Sequence, residues 1–291
     1  MKILNFGSLN VDHVYSVDHL VRPGETLNSD RYQVFMGGKG SNQSMALAYA
    51  GARVFHAGKL GRDGAWLKDR LQQSGVDTTL VEITDGPSGH AIIQVNKEGE
   101  NAIILFGGAN RAITPADAVK VLGHFIKGDY LLLQNEISAT PEIMRAAARI
   151  GLRMFFNPAP MHRDVLGYPL DLVSGFIVNA IEGGELTGET VPERILVAMQ
   201  RRFPHAMTAL TLGADGVLCA QAGKTVRVPA VKVKAVDTTA AGDTFIGYFL
   251  AELMRGSALE AALEIACKAA AICVTRPGAA DSIPKREEVA V

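Results

Sequence analysis

A carboxylate lies at the start of an apolar run in the stretch "TTAAGDTF", Thr238 to Phe245. The run that follows Asp243 is typical of a helix, and Thr or Asp at a helix start can cap its free N–H groups. The small residues before Asp243 also leave the backbone open, and a helix N-terminus attracts anions. The stretch alone leaves both interpretations open: helix capping, or an anion site beside a carboxylate.

A second polar group follows the first predicted strand. Asn10 and Asp12 are two residues apart, so their side chains can point the same way. The glycine-rich stretch "FMGGKGSNQ", Phe35 to Gln43, supplies backbone freedom and the donors Lys39 and Asn42. Glu136 also follows a predicted strand. Because ligands of open α/β sheets bind beyond the carboxyl ends of strands, these residues indicate a site for a polyhydroxylated ligand.

Two further segments at strand ends could serve a phosphorylated ligand. Asn179 and Glu182 are three residues apart, which fits either a helix capping box or an oxygen site for hydrated Mg²⁺ near phosphates. The segment "TLGADG", Thr211 to Gly216, is either a loop against a nucleotide or the entry to a hairpin.

The elements that position these residues alternate between β-like runs and helical patterns. "KILNFG", "RVFHAGKLG" and "DYLLLQ" are each followed by a helical segment. In the last case Thr140 is the expected N-cap and Pro141 the first helical residue. The alternation predicts an α/β fold with a mainly parallel sheet covered by helices.

Some regions depart from this alternation. Residues 11–36 contain no helical pattern, and residues 90–106 are typical of a β-hairpin, so both could form a small accessory sheet. A second hairpin is expected in "GVLCAQAGKTVRVP". Two helices are expected at about 242–255 and 258–274.

Composition excludes several classes of protein. The chain has 291 residues, 48% of them hydrophobic, and a net charge of −1, so no general attraction to nucleic acid or membranes is implied. No apolar run reaches the roughly 18 residues of a membrane span. Three cysteines without metal-like spacing favour a reducing, cytoplasmic setting. The P-loop and G-x-G-x-x-G nucleotide signatures are both absent from the sequence.

The combination of motifs resembles the ribokinase-like carbohydrate kinases, the PfkB family. The motifs that carry the resemblance are Asn10/Asp12, "GGKGSN", "NPAP", "NxxE", "TLGxxG", "DTTAAGDTF" and "VTRPGA", in this order from about residue 3 to about 284. The resemblance implies a three-layer α/β/α sandwich with a mainly parallel sheet. It also implies a single kinase domain over residues 1–291, with lid segments at about 11–36 and 90–108 forming a small β-sheet.

The resemblance also implies a reaction and a catalytic group. Asp243 would be the general base that takes a proton from a sugar hydroxyl attacking the γ-phosphate of ATP. The N–H groups around Ala241, Gly242 and Asp243 would form an anion hole for the transferred phosphoryl group, a type of stabilisation that often dominates catalysis.

The remaining site residues follow from the same resemblance. Sugar contacts are implied for Asn10, Asp12, Gly38, Lys39, Gly40, Asn42, Glu136 and Asp243. ATP contacts are implied for Asn179, Thr211, Gly213, Gly216, Gly242 and Cys267. Asn179 and Glu182 would act on Mg²⁺ through water, and a monovalent cation, K⁺, would bind near Asp237, Thr239, Cys273, Arg276, Gly278 and Ser282. The family also implies a homodimer formed through the lid.

The expected acceptor is the primary hydroxyl of a pentose. "GSLNVD", "GGKGSNQ" and "NAIILFGGAN" are similar to the ribokinase branch of the family, which implies D-ribose as substrate and ribose 5-phosphate as product. The departures from that pattern are Ile246, "GGAN" at 107–110, Cys267 and Lys268. They leave open a sister kinase for another sugar, sugar acid or nucleoside. A non-catalytic sugar-binding regulator is the alternative of a different class.

Overall fold

The computed structural model describes residues 1–289 and contains two β-sheets. The strands of these residues are β1 (Ile3–Phe6), β2 (Asn10–Ser16), β3 (Arg31–Gly37), β4 (Val54–Gly61), β5 (Asp77–Thr84), β6 (Gly89–Val95), β7 (Asn101–Phe106), β8 (Tyr130–Leu133), β9 (Arg153–Phe156), β10 (Gly175–Asn179), β11 (Met207–Thr211), β12 (Val217–Gln221) and β13 (Lys224–Val228). The large sheet has the order β13-β12-β11-β10-β9-β8-β1-β4-β5, and the small sheet has the order β3-β2-β6-β7.

The large sheet is parallel from β5 to β11, and only β12 and β13 are paired antiparallel. Its central strands are mostly apolar: all four residues of β1 and of β8 are buried, and Asn5 of β1 is the one amide among them. Such runs are typical of parallel strands that helices cover on both faces. The carboxyl ends of these strands meet along one edge, which is where the predicted polar residues lie.

Helices pack on both faces of the large sheet. Within the described residues they are α1 (Lys39–Tyr49), α2 (Ala65–Gln73), α3 (Pro115–Leu122), α4 (Thr140–Ile150), α5 (Ala180–Thr187), α6 (Pro192–Arg202), α7 (Ala241–Arg255), α8 (Leu259–Cys273) and α9 (Arg286–Val289). Buried residues of α1, α7 and α8 share one hydrophobic cluster, and those of α3 to α6 share a second. The predicted α/β fold with two helical layers is therefore confirmed.

The contact between α1 and α7 is unusually close. A Cβ on Gly247 would lie 2.4 Å from the Cβ of Ala46 and 2.7 Å from the backbone of Leu47. Glycine at position 247 thus lets the two helix backbones approach each other. As a result, the first turn of α7, with Asp243, lies beside the first turn of α1.

The small sheet is built from the two regions that lack the strand–helix alternation. Its strands occupy 10–16, 31–37, 89–95 and 101–106, close to the predicted segments 11–36 and 90–108. The hairpin predicted near residues 217–228 is also present as β12 and β13. The predicted C-terminal helices agree with α7 and α8 to within one residue at each end.

The predicted N-cap of α4 was wrong. The cap is Ala139, which has a left-handed backbone (φ 58°), and Thr140 is the first helical residue. The Thr140 hydroxyl is buried and donates to the carbonyl of Ile137 instead of accepting from the first turn. Pro141 follows as the second helical residue.

Candidate active site

A cleft of about 460 Å³ opens between the carboxyl edge of the large sheet and the small sheet. It gathers residues from strand ends, helix starts and the lid strands. The lining residues are Asn10, Asp12, Gly38, Lys39, Asn42, Ala91, Ile93, Ile103, Leu105, Glu136, Asn157, Ala159, Ile177, Val178, Asn179, Glu182, Thr211, Thr238, Thr239, Ala240, Gly242, Asp243 and Ile246. Most of the polar residues predicted from the sequence therefore meet in one place.

Asp243 lies in the first turn of α7 and is buried apart from its access to the cleft. Asn42 donates to its Oδ2 at 3.0 Å, and Gln43 donates to its Oδ1 at 2.8 Å. Both donors come from α1, which the close approach at Gly247 brings alongside. The carboxylate is thus held in one orientation at the wall of the cleft.

The backbone before Asp243 turns sharply into α7. Ala240 is the N-cap and has a left-handed backbone (φ 59°), and no side chain caps the helix. Among residues 1–289, the N–H groups of Gly242 and Asp243 have no acceptor, whereas the N–H of Ala241 contacts the carbonyl of Thr238 at 3.3 Å. Two uncapped N–H groups at a helix N-terminus form an anion-binding arrangement.

This geometry revises the part assigned to Ala241. It does not line the cleft, and its N–H is engaged in the turn that starts α7. Gly242, in contrast, is exposed, and a Cβ there would meet nothing within 4 Å. The open approach to the backbone is therefore at Gly242 and Asp243.

Asn10 and Asp12 project from β2 into the cleft. The Asn10 Oδ1 accepts a hydrogen bond of 2.7 Å from Asn110. Gly37 on β3 pairs with Asn10, and a Cβ on Gly37 would be 1.9 Å from the Asp12 Oδ2. Burial, together with the negative charge of Glu136, raises the pKa of Asp12 to about 7.

Glu136 connects the end of β8 to the start of α1. Its Oε2 accepts a 2.9 Å hydrogen bond from the backbone N–H of Lys39 and another from the Ser8 hydroxyl. The negative charge of Asp243 raises the pKa of Lys39 despite its burial. Lys39 forms no ion pair within residues 1–289, so its charge is available to a ligand in the cleft.

Two glycines of the predicted set have different functions. Gly38 has a positive φ of 95° and lines the cleft. Gly40 does not line it: a Cβ there would be 2.3 Å from the backbone nitrogen of Ser8, so Gly40 allows α1 to pack on the end of β1. Its own N–H donates to the Ser8 hydroxyl at 3.1 Å.

Asn179 and Glu182 form the capping box of α5. The Asn179 Oδ1 accepts from the Glu182 N–H at 2.8 Å, and the Glu182 Oε2 accepts from the Asn179 N–H at 3.0 Å. Both residues also line the cleft, and burial raises the pKa of Glu182. The capping interpretation is therefore confirmed, and both side chains of the capping box also face the cleft.

Only some of the residues predicted to bind the nucleotide line the cleft. Thr211 lines the cleft at the end of β11, whereas Gly213 and Gly216, both with positive φ, form the turn into β12 outside its lining. At Gly216 a Cβ would be 2.1 Å from the carbonyl oxygen of Val228, so this glycine is needed for packing. Cys267 is a residue of α8. Its side chain is buried in the hydrophobic core and does not line the cleft.

The predicted cation-site residues surround the loop that leads into α7. Asp237 accepts 2.9 Å hydrogen bonds from the N–H groups of Thr239 and Gly278. Burial opposes ionisation of Asp237, but these hydrogen bonds outweigh it and lower its pKa. The Cys273 thiol contacts the Ser282 hydroxyl at 3.0 Å. The Arg276 guanidinium is paired with Glu288. Of this group only Thr239 lines the cleft.

Several further polar residues of the site were not predicted from the sequence. Gln43 and Asn157 contact the predicted carboxylates directly, and Asn110 and Ser8 hold Asn10 and Glu136. Asn157 is part of the "NPAP" segment and Gln43 ends "GGKGSNQ". A signal was thus present, but an amide inside an apolar segment does not by itself distinguish a site from a satisfied core.

Comparison with known proteins identifies the family. Residues 1–286 match the model of the pfkB family of carbohydrate kinases. The chain is 37% identical to a ribokinase of Haemophilus influenzae over 293 residues, with 97% of this chain and 95% of the relative covered. It is 31% identical to a deoxyribokinase of Salmonella typhi, with 99% and 97% covered. The chain belongs to the pfkB family of carbohydrate kinases.

Solved structures agree with this assignment. A ribokinase of Cryptococcus neoformans in complex with ADP superposes with a TM-score of 0.86 at 36% identity, covering 99% of this chain and 98% of that one. A ribokinase of Arabidopsis thaliana complexed with ribose and ATP gives a TM-score of 0.88 at 28% identity, covering 99% and 97%. The predicted ribokinase-like fold is confirmed. Within the described residues, no helix is both long and apolar enough to cross a membrane.

Proposed function

We propose that this protein transfers the γ-phosphate of ATP to the primary hydroxyl of D-ribose, giving ribose 5-phosphate and ADP. The observation that carries the proposal is the cleft itself. Asp243 and two free N–H groups line it together with the polar residues of β2 and α1. The resemblance of the whole chain to ribokinases supports ribose as the acceptor.

Asp243 would act as the general base. Its carboxylate accepts the proton of the sugar hydroxyl while the hydroxyl oxygen forms a bond to the γ-phosphorus, and the bond from that phosphorus to the ADP oxygen breaks. A positioned base contributes about 10²–10⁴-fold to such a reaction. The N–H groups of Gly242 and Asp243 point where negative charge on the phosphoryl oxygens would be stabilised.

The sugar would bind against β2 and α1. Asn10, Asp12 and Asn42 supply hydrogen-bonding groups, and Lys39 is the only Lys or Arg side chain lining the cleft in the described part of the chain. A substrate that already carried a phosphate would need further positively charged side chains in the cleft. This arrangement supports a neutral sugar, with Ile93, Ile103 and other apolar lid residues covering it.

ATP would extend from Asp243 towards Asn179, Glu182 and Thr211. No cluster of three or more acidic, His or Cys residues suited to a metal occurs within residues 1–289. Mg²⁺ fits such a site because it commonly uses one or two carboxylates, water and substrate phosphates. Glu182 is the buried carboxylate that would hold it, and the ion would neutralise phosphate charge when bound.

A monovalent cation is part of the same proposal. Asp237 is the carboxylate of the loop before α7, and its lowered pKa keeps it ionised. The backbone near Cys273 and Gly278 lies against that loop. Carbonyl oxygens there suit K⁺, which would order the loop that leads to Gly242.

We also propose that the small sheet is a lid that joins two copies of one kinase domain. β7 is an edge strand of that sheet, and all six of its residues are exposed. Ile104 is 67% and Phe106 is 48% exposed. An exposed apolar edge strand is an association site. We propose that a second copy of this chain covers this strand.

The three cysteines are buried and form no disulfide, which supports a cytoplasmic location.

The test is a coupled ADP-release assay across ribose, 2-deoxyribose, fructose 6-phosphate and a nucleoside. We expect the highest kcat/KM with ribose and a loss of that preference in Asp12→Ala. A site built to bond a hydroxyl rejects the analogue that lacks it, because its own groups are left unpaired. A wild-type enzyme that favours any of the other three substrates would overturn ribose and leave a sister kinase.

One observation favours a specific sister activity. The likeness to the Salmonella typhi deoxyribokinase is nearly as extensive as that to the ribokinases. Ribose and 2-deoxyribose differ only in the 2-hydroxyl, so their ratio of kcat/KM in the same assay decides between the two activities.

A further inference from the structure

Two amides of α1 hold the proposed base, and only one of them lines the cleft. Asn42 reaches Asp243 Oδ2 from inside the cleft. Gln43 reaches Asp243 Oδ1 at 2.8 Å from the opposite side and is fully buried. Gln43 is not part of the cleft lining. It can therefore affect the reaction only through the residues that it contacts.

A chain of buried amides fixes the orientation of Gln43. Its Oε1 accepts a 2.6 Å hydrogen bond from Gln134 Nε2, and that nitrogen also donates to Asn5 Oδ1 at 2.9 Å. The Asn5 amide nitrogen donates to the Gly40 carbonyl at 2.7 Å and to the Ser44 hydroxyl at 2.8 Å. Because an amide oxygen only accepts, this sequence of bonds turns the Gln43 NH₂ group towards Asp243.

The same NH₂ group continues towards the phosphate end of the cleft. It donates to Asn157 Oδ1 at 3.3 Å, and the Asn157 amide nitrogen donates to Glu182 Oε2 at 3.4 Å and to the Ile177 carbonyl at 3.0 Å. Gln43 and Asn157 thus link the proposed base to the carboxylate of α5. Both amides are buried, so their bonds are shielded from competing water.

We propose that Gln43 is a positioning residue for Asp243, held in its working orientation by Gln134. The inference rests on the proposed function, in which Asp243 is the general base. A donor to a carboxylate favours the ionised form, and only the ionised form accepts a proton. The buried bond also keeps the carboxylate from rotating away from the sugar hydroxyl.

Several charged or titratable groups act on Asp243 or share its surroundings. They are Lys39 on α1, Glu182 on α5, Cys273 on α8, and Asp12, Glu136 and Asp237 on the neighbouring strand and loops. None of them is changed in Gln43→Met, so a shift in titration between that variant and the wild type reports the loss of the amide.

The test compares Gln43→Met and Gln43→Glu with the wild type. Methionine keeps the length of the side chain and removes the donor. We expect kcat for ribose to fall about 10–100-fold, because this is the effect of losing a hydrogen bond to a charged group. KM should change less than about threefold. The acid limb of the kcat–pH profile should move to higher pH. Gln43→Glu keeps the bond from Gln134 but faces Asp243 with a second carboxylate, so it should move that limb further.

Two further variants separate positioning from folding. Gln134→Met should shift kcat and the acid limb in the same direction but less, and it carries the test if Gln43→Met does not fold. Thr208→Val removes a buried hydroxyl of β11 that belongs neither to the chain of amides nor to the cleft lining, and its kcat should stay within about twofold of wild type.

A readout that does not depend on the sugar completes the test. Carbon-13 NMR follows the titration of the Asp243 carboxyl, assigned by its loss in Asp243→Asn. Its midpoint should rise in Gln43→Met whichever substrate the enzyme uses. An unchanged midpoint together with an unchanged kcat in folded Gln43→Met would overturn the inference. Absence of ribose turnover in the wild type, with the midpoint still shifted, would overturn only the proposed function.

Discussion

Asp12→Asn should make the free protein more stable at neutral and alkaline pH while it weakens sugar binding. Burial and the charge of Glu136 raise the pKa of Asp12 from 3.8 to about 7. One pKa unit corresponds to about 1.4 kcal/mol, so the ionised carboxylate lowers the free energy of unfolding by about 2–4 kcal/mol once partial solvent screening is allowed for. Asparagine has similar size and carries no charge.

The sign follows from proton linkage. At pH values well below 3.8 the Asp12 carboxyl is protonated in both the folded and the unfolded protein, so it causes no loss of stability. As pH rises from 3.8 towards the folded pKa of about 7, the carboxyl ionises in the unfolded protein but not in the folded one, so the loss of stability grows and is complete above the folded pKa. The stability gained in Asp12→Asn should therefore be less than half of its final size near pH 5 and largest above pH 8.

Urea unfolding measures this difference. Fluorescence of Trp66, the only tryptophan in the chain, reports unfolding of wild type and variant near pH 5 and pH 8.5. Asp30→Asn, which removes an exposed carboxylate between the lid strands, is the control for the loss of one negative charge. A gain in Asp12→Asn that is equal at both pH values would refute the reasoning, because the effect would then not come from ionisation.

The remaining predictions concern the chemistry and the assembly. Asp243→Asn should lower kcat about 10²–10⁴-fold with much smaller changes in KM, and a variant that keeps half of its activity contradicts the general-base role. Glu182→Gln can still accept a hydrogen bond at the α5 cap but no longer supplies a carboxylate to Mg²⁺. It should therefore raise the Mg²⁺ concentration that gives the half-maximal rate, with little change in KM for ribose. If the variant loses stability and its Mg²⁺ response is unaltered, Glu182 only caps α5 and does not act on Mg²⁺. Activity in K⁺ should exceed activity in a bulky organic cation at equal ionic strength, and Asp237→Asn should remove that difference. If the rates are equal in wild type, no monovalent site is needed. Ile104→Lys should convert a dimer to a monomer in light scattering, and a wild type that is itself monomeric would exclude the lid contact.

The sequence predicted the fold because the main signals are local. Short, mostly apolar runs such as those of β1 and β8 are typical of buried parallel strands, and they lie between helical patterns. The start of α4 was predicted wrongly because Thr140 and Pro141 are a typical helix start. The chain instead enters the helix through the left-handed Ala139, a conformation that alanine rarely adopts.

The candidate site was predictable where a polar residue ends a strand or starts a helix. Glu136, shortly after β8, and Asp243, in the first turn of α7, are of this kind, and both line the cleft. The contacts of Gln43 and Gln134 could not be predicted, because they join residues about 90 to 200 positions apart in the sequence.

Other residues contribute through packing rather than contact with the cleft. Gly40 and Gly216 lie where a Cβ would be within about 2.3 Å of backbone atoms. Cys267 packs from α8 into the hydrophobic core. A glycine required for packing and a glycine required for ligand approach are identical in the sequence. Only the three-dimensional arrangement distinguishes them.

The most direct measurement of the central claim is product analysis with carbon-13-labelled ribose and ATP. We expect ADP and ribose 5-phosphate to form in equal amounts with wild-type protein. Phosphorus coupling should appear at C5, and the rate should fall about 10²–10⁴-fold in Asp243→Asn. Ribose that stays unphosphorylated, or ADP that forms without phosphate on C5, would contradict the account.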